Sequence, residues 1–227
     1  MKIKINENGY EGYAAGAAGR SSGVLVVQEI YGVNREIRRV TDHFGKAGYA
    51  ALAPDIMWRS QPWLDFGYEE RDAARNVILK MDYKALVDDL VEAIEVLRSR
   101  LTGAKKVAVV GLGWGGKPAI EAATRAGAAC SVSYYPGTLD EKSLGVVTAC
   151  TAPIQFHFAS KDERTPVAFR TALKSALVGR PDAEMYVYEA DHGFANHDRT
   201  ECDHPSADLA ERRQDDFITR YLGGEGK

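Results

Sequence analysis

The chain has 227 residues, of which 45% are hydrophobic and 27% charged, and its formal net charge is −3. This length and composition predict one compact domain, over residues 1–227, with a full-sized core. The slightly acidic balance, without a basic stripe, argues against a nucleic-acid partner. Apolar runs are too short to span a bilayer and the first residues lack the core of a signal peptide, so we expect a cytoplasmic protein with no membrane partner.

Strand-like and helix-like segments alternate along the chain. Short continuous apolar runs are typical of strands buried on both faces, and the amphipathic segments between them are typical of covering helices. The predicted strands are 24–27, 49–54, 107–110, 129–133, 153–158 and 185–188. The predicted helices are 35–46, 69–81, 83–101, 118–126, 166–177 and 207–222. This alternation predicts a doubly wound, mainly parallel α/β sheet flanked by helices on both faces.

Glycine-rich segments punctuate this pattern at both ends of the chain. Residues 12–23 are rich in Gly, Ala and Ser and are interpreted as a loop that joins an N-terminal β segment to the first core strand. Residues 223–227 are expected to be frayed.

A glycine-rich motif in the middle of the chain resembles a nucleophile motif but lacks the nucleophilic side chain. Residues 111–116 read Gly-Leu-Gly-Trp-Gly-Gly and stand between the strand at 107–110 and a predicted helix. This arrangement matches the strand-turn-helix nucleophile elbow G-x-S-x-G, whose central serine or cysteine attacks a carbonyl. The central position here is Gly113, which has no side chain, and the positive φ of such an elbow would suit glycine.

Two further parts of a hydrolytic triad follow in the order acid, histidine. Asp162 comes after the predicted strand 153–158, and His192 comes after the predicted strand 185–188. The carboxyl ends of parallel strands meet at one edge of a sheet, where loops carry function. A histidine oriented by a carboxylate takes a proton from the attacking group and returns it to the leaving group.

Five motifs therefore share one order along the chain: residues 28–34 (QEIYGVN), 53–55 (APD), 111–116 (GLGWGG), 133–135 (SYY), and Asp162 with 192–195 (HGFA). Together they resemble the dienelactone hydrolase family, small α/β-hydrolases with a Cys-His-Asp triad, over nearly the whole sequence. The resemblance implies the α/β-hydrolase fold, with Asp162 and His192 as triad acid and base. It also implies that Glu29 is the glutamate that contacts the resting thiol, and that Gly113 occupies the cysteine position.

Arginines provide a candidate site for an anionic group. Arg71 and Arg75 lie four residues apart in the predicted helix 69–81, so both can share one face, and a guanidinium fork suits a carboxylate. A solvated helix face is the alternative. By resemblance, Arg71 matches an arginine that binds the substrate carboxylate. The family's second such arginine is replaced by Asn196, which implies an altered acid pocket.

Other groups are expected to complete the pocket. The backbone N–H of Trp114, directly after Gly113, and by resemblance that of Ile30, are candidate oxyanion donors. Arg59, in the loop after the second strand, is a further candidate for substrate binding. Tyr135 follows a predicted strand end and is expected to line the pocket.

The remaining cysteines and histidines favour structural roles. Cys130 and Cys150 lie at predicted strands and are expected to be buried, and Cys202 lies in a polar loop. An odd count without close spacing argues against disulfides or a metal site, and no cofactor is expected. His157 is interpreted as structural, and His197 as a residue of the pocket rim.

The glycine at position 113 leaves three readings open: a natural family member with lost or changed chemistry, an engineered cysteine-to-glycine variant, or an enzyme in which His192 activates water. Two functions follow from these readings. One is hydrolysis of a small, anionic lactone or enol ester. The other is a non-catalytic ligand-binding protein on the same fold. Either is expected to act on a small molecule as a monomer or homodimer.

Overall fold

A single eight-stranded sheet forms the centre of the computed structural model, which describes residues 1–223. Its strands are β1 (Lys2–Lys4), β2 (Glu11–Ala15), β3 (Ser22–Val27), β4 (Ala50–Pro54), β5 (Lys106–Leu112), β6 (Cys130–Tyr134), β7 (Ile154–Ala159) and β8 (Ala183–Tyr188). The spatial order is β1-β2-β4-β3-β5-β6-β7-β8. Strand β2 is antiparallel to both its neighbours and the other pairings are parallel. The predicted α/β-hydrolase fold, with its mainly parallel sheet, is confirmed.

Seven α-helices connect and cover these strands. They are α1 (Arg35–Lys46), α2 (Arg71–Ile78), α3 (Tyr83–Ser99), α4 (Gly116–Arg125), α5 (Leu144–Ala149), α6 (Val167–Ala176) and α7 (His204–Leu222). Single 3-10 turns occur at Tyr68–Glu70, Gly113–Gly115 and Glu141–Ser143. Of the tail expected to be frayed, residues 224–227 lie outside the described part of the chain. No helix within residues 1–223 combines the length and apolar character needed to cross a bilayer.

Alternation along β3 explains why helices cover both faces of the sheet. Val24 and Val26 belong to the core shared with α1 and α7. Leu25 and Val27 belong to the opposite core, shared with α3 and α4. Both sets are fully buried because successive side chains of a strand point to opposite faces. A strand buried on both faces reads as a continuous apolar run, which is the signal that predicted it.

The segment predicted as a loop over residues 12–23 is partly a strand. Residues Glu11–Ala15 form β2, which pairs with β4 in the register Gly12↔Pro54. A Cβ atom on Gly12 would lie 2.7 Å from Leu52 Cδ1 and 2.9 Å from the Ala53 carbonyl oxygen. Glycine is therefore required by a close approach of two strands rather than by a turn, which is the physical reason the loop interpretation was wrong.

The functional edge of the sheet is its carboxyl end near β3 and β5. These two strands pair in parallel, with Val27 opposite Gly111, although β4 follows β3 in sequence. The chain therefore reverses its winding direction between them. Ligands of open α/β sheets bind in the crevice at such a switch point.

Candidate active site

The elbow between β5 and α4 is shaped by glycines in close contact. A Cβ atom on Gly111 would lie 2.6 Å from the carbonyl oxygen of Gly115, and one on Gly115 would lie 2.4 Å from that of Gln28. Gly113 has a φ of +52°, as the elbow pattern predicts. Its own added Cβ would be at ordinary contact distance from Glu29, with the nearest atom at 3.4 Å. Residue 113 is thus constrained by backbone conformation and not by lack of space.

Asp162 and His192 form the acid–base pair that the sequence predicts. His192 Nδ1 lies 2.7 Å from Asp162 Oδ2. Asp162 also accepts hydrogen bonds from the backbone N–H of Arg164 and the hydroxyl of Thr165. Burial opposes ionisation of Asp162, but the hydrogen bonds with His192 and Arg164 outweigh it and place the pKa of Asp162 below its ordinary value. An ionised Asp162 that accepts from Nδ1 leaves Nε2 of His192 as the basic nitrogen.

Glu29 lies two residues after the end of β3, and its side chain is near Gly113. Its side chain is buried, and Oε2 accepts a hydrogen bond of 3.3 Å from Asn196 Nδ2. Within residues 1–223, Oε1 has no hydrogen-bond partner. This oxygen lies 3.6 Å from the position that a Cβ on Gly113 would take. A buried acceptor without a donor is costly, so its orientation toward residue 113 indicates a functional group at that point.

A cavity of about 450 Å³ joins these groups. Its walls include the proposed triad positions Gly113 and His192, and also Glu29. Trp114 and Ile30, whose backbone N–H groups are the candidate oxyanion donors, line it as well. An outer cleft of about 880 Å³ shares His192 with the cavity and extends to Asp162. The arrangement can hold a small carbonyl compound between the elbow and the imidazole.

Four arginines line the cavity: Arg71, Arg75, Arg164 and Arg199. The first two lie four residues apart on α2, and both line the cavity. The other two were missed by sequence reasoning, since neither belongs to a periodic pattern. The sequence feature that could have identified them is proximity to the predicted acid and base. Arg164 comes two residues after Asp162, and Arg199 comes seven residues after His192.

Comparison with known proteins identifies the family. A family model described as the dienelactone hydrolase family matches residues 10–222. The chain belongs to the dienelactone hydrolase family. Carboxymethylenebutenolidase 1 of Cupriavidus pinatubonensis is 32% identical to it over 193 residues, which cover 84% of this chain and 82% of that protein. The carboxymethylenebutenolidase of Pseudomonas putida is 30% identical over 224 residues, which cover 94% of each.

A solved structure shows the same fold. The dienelactone hydrolase-like promiscuous phosphotriesterase from metagenomic libraries superposes with a TM-score of 0.74 at 16% identity, and the match covers 97% of each chain. The relatives and this structural neighbour are hydrolases by name, so the chain is a member of an enzyme family of hydrolases.

Asn196, which the resemblance matches to a substrate-binding arginine, does not line the cavity. It is buried, and its amide donates to Glu29 and to the Tyr68 hydroxyl at 3.0 Å. Tyr68 accepts in turn from Asn34, the N-cap residue of α1. The expectation that Asn196 binds substrate was wrong, because this side chain positions the Glu29 carboxylate from behind.

Tyr135 and Arg59 are also placed away from the substrate cavity. Tyr135 is fully buried, with its ring edge-on to His192 at 5.1 Å between centroids, so it supports the imidazole instead of lining the pocket. Burial and the nearby carboxylate of Glu29 raise the pKa of Tyr135. Arg59 forms a two-point ion pair with Asp89, at 2.7 and 2.9 Å, and stacks over a neighbouring indole. The ion pair with Asp89 holds the Arg59 side chain against α3. The expectation that Arg59 binds substrate is therefore withdrawn.

None of the three cysteines supplies the thiol that the dienelactone hydrolase family uses. Cys130 and Cys150 are buried, and burial raises the pKa of Cys130 to about 12. Cys202 lies 3.7 Å from His204 Nδ1, and burial raises its pKa as well. His197 packs edge-on against His204 and does not line the rim of the cavity, contrary to expectation. Within residues 1–223, no three His, Cys, Asp or Glu side chains are grouped to hold a metal ion.

Proposed function

We propose that this protein hydrolyses a small, anionic lactone or ester in the cavity between Gly113 and His192. The observation that carries the proposal is the Asp162–His192 pair at 2.7 Å, whose imidazole lines a cavity that also contains the elbow and arginine side chains. A chain without catalytic use for these groups would gain stability by replacing a buried carboxylate such as Glu29. By the resemblance, Glu29, Asp162 and His192 match catalytic groups of the family, and Gly113 stands at the position of its thiol.

The attacking group in this chain is water. His192 Nε2 accepts a proton from water as the oxygen forms a bond with the carbonyl carbon. The charge that develops on the carbonyl oxygen is stabilised by the backbone N–H groups of Trp114 and Ile30. The carbon–oxygen bond of the ester then breaks, and His192 returns the proton to the leaving oxygen. Asp162 holds the imidazole in the required tautomer throughout.

A second candidate function is ligand binding without turnover. It is favoured by the lack of a nucleophilic side chain among the described residues that line the cavity. Thr138 has the one aliphatic hydroxyl there, and this hydroxyl donates to the carbonyl oxygen of Trp114 at 3.1 Å. Such a hydroxyl is committed to the backbone and is not activated by His192.

The deciding experiment compares this chain with Gly113→Cys and with the matched control Gly113→Ala. Each protein is assayed on anionic lactones and aryl esters, and intact-protein mass spectrometry detects a trapped acyl group. Turnover by the parent chain without acylation supports water attack. Activity and acylation only in Gly113→Cys support a family scaffold whose nucleophile has been lost. Inactivity of all three proteins contradicts the hydrolase proposal and favours the binding protein.

A further inference from the structure

The inner cavity contains more positive charge than one carboxylate requires. Four guanidinium groups and the single carboxylate of Glu29 line it, a formal charge of +3 with His192 neutral. Glu201 neutralises Arg199, which leaves a formal charge of +2, so a substrate with one anionic group would leave one positive charge without compensation. Like charges that converge on one cavity raise its positive potential, which favours a ligand with two negative charges.

The four arginines belong to two pairs with different supports. Arg71 and Arg75 extend from α2. Arg164 and Arg199 extend from the loops that carry the acid and the base of the site. The first pair therefore flanks the cavity from a helix, and the second approaches from the side of the imidazole.

Two glycines give the second pair its place beside His192. A Cβ on Gly137 would lie 3.1 Å from Arg164 Cδ and 3.5 Å from His192 Cε1, so the stem of Arg164 lies against this glycine next to the imidazole. A Cβ on Gly193 would lie 2.9 Å from Arg199 Cζ. A larger residue at either glycine would therefore crowd these side chains, of which Arg164 is exposed and Arg199 is largely buried.

Among the described residues, an ion pair accounts for one of the four arginines. Arg199 is paired with Glu201 at 3.0 Å. Arg71, Arg75 and Arg164 have no carboxylate within 4.0 Å in the described part of the chain. Burial, followed by repulsion from Arg71, lowers the pKa of Arg164, and the attraction of Asp162 offsets this only in part.

Carboxylates are concentrated outside this cavity. Six of them line the outer cleft: Glu69, Asp162, Glu163, Asp191, Asp198 and Glu201. The outer cleft shares three of the arginines and adds Lys161, so its lining carries a formal charge of −2. By formal charge the inner cavity is the positive part of the site, so both charges of a dianionic ligand would be bound there.

We propose that the substrate carries two carboxylates besides the ester that is hydrolysed, one bound by Arg71 and Arg75 and the other by Arg164 and Arg199. This inference rests on the proposed function and specifies its substrate class. Guanidinium groups bind planar carboxylates in a two-point geometry, and each pair supplies enough donors for one. Hydrolysis of the ester creates a further carboxylate. The binding test therefore uses ligands in which an uncharged acyl group stands in place of the ester.

The test uses two inert amides that differ by one carboxylate. Glutaramate has one carboxylate, and the 1-monoamide of tricarballylate is the same five-carbon chain with a second carboxylate. Calorimetric titration of the full-length Gly113 chain should show the dianion binding at least about tenfold more tightly. Arg164→Gln should reduce this ratio to below about threefold with little change for glutaramate. The control Arg220→Gln, an exposed arginine on α7, should preserve the ratio.

Equal affinity of the two amides for the parent chain, or binding of neither, overturns the dianion proposal. A ratio that survives Arg164→Gln overturns the assigned second subsite. Unfolding curves establish that the variants are folded. If Arg164→Gln does not fold, Gly137→Ala displaces the same side chain. The hydrolase proposal is judged separately by the Gly113→Cys assay, which uses esters with a single carboxylate, so the failures of the two proposals are distinguishable.

Discussion

Glu29 Oε1 lies 3.6 Å from the position of a Cβ on Gly113 and has no hydrogen-bond donor within residues 1–223. The carboxylate therefore lies beside the position that the resemblance assigns to the family's nucleophile, with the Tyr135 hydroxyl nearby. Because a Cβ at this position meets no atom closer than 3.4 Å, the site still accepts a residue larger than glycine. The geometry of the elbow has been retained although its central side chain is absent.

Gly113→Ala is expected to fold and to lower the free energy of unfolding by about 1–2 kcal/mol, since an L-residue is strained at a φ of +52°. Urea denaturation measures this change. The comparison variant Gly111→Ala should lose more, because its methyl group would lie 2.6 Å from a backbone oxygen. Equal losses at the two positions would contradict the contacts described at the elbow.

His192→Ala is expected to remove hydrolysis by the parent chain, with a loss of at least about 10²-fold, because no other imidazole lines the cavity in the described part of the chain. Initial rates on an aryl ester measure the loss. Cys202→Ser is the control and should retain the parent rate, since Cys202 does not line the cavity. A His192→Ala protein that hydrolyses at the parent rate would exclude water activation by this residue.

Asn196→Leu is expected to lower the free energy of unfolding by about 1–3 kcal/mol, because it removes the donor to a buried carboxylate. Chemical denaturation of the single and double variants with Glu29→Gln measures the coupling. The cost should shrink in the Glu29→Gln background, where no charge remains to be compensated. Additive costs would show that the two side chains do not interact.

The buried His157 is expected to make the free energy of unfolding depend on pH in the acid range. Burial, followed by repulsion from Arg213, lowers the pKa of His157 from 6.5 to about 3. Between these values the unfolded chain binds a proton that the folded chain does not. The free energy of unfolding therefore falls as pH decreases through this window, by up to about 1.4 kcal/mol per pH unit.

The variant His157→Phe should reduce that slope between pH 6 and 4 by about the same amount. Denaturation at several pH values measures it, and the slope does not depend on whether the variant is less stable overall. Above pH 7 the two proteins should have equal slopes, because the imidazole is neutral in both states. An unchanged slope below pH 6 would mean that His157 takes up a proton in the folded protein.

The sequence alone predicted a helix or strand correctly where its local pattern agrees with the tertiary structure. The helix α1 has the bounds predicted from its amphipathic pattern, and Asn34 caps it with a side-chain hydrogen bond to Ile37. Strand β3 was recognised from a continuous apolar run. Strand β2 was not, because its Gly and Ala residues fit against β4 by their small size and have weak strand propensity.

Contacts between distant segments account for the rest of what was missed. Arg59 was assigned to the pocket from its position after a strand, but its direction is set by Asp89, thirty residues away. Asn196 was placed correctly near the site, yet only packing shows that it faces Glu29 and not the cavity. The side chain of Arg164 packs against Gly137, which lies in a different loop, and no local pattern predicts this contact.

The division of the cavity between loops and helix affects how this protein could acquire new specificities. The loops after β7 and β8 each carry one residue of the acid–base pair and one arginine, so a change of loop shape alters recognition and proton transfer together. Helix α2 carries Arg71 and Arg75 but no residue of the acid–base pair, and only Ala74 and Ile78 of it are buried. Substitutions in α2 can therefore change which substrate is bound, by evolution or by design, and leave the acid–base pair unaltered.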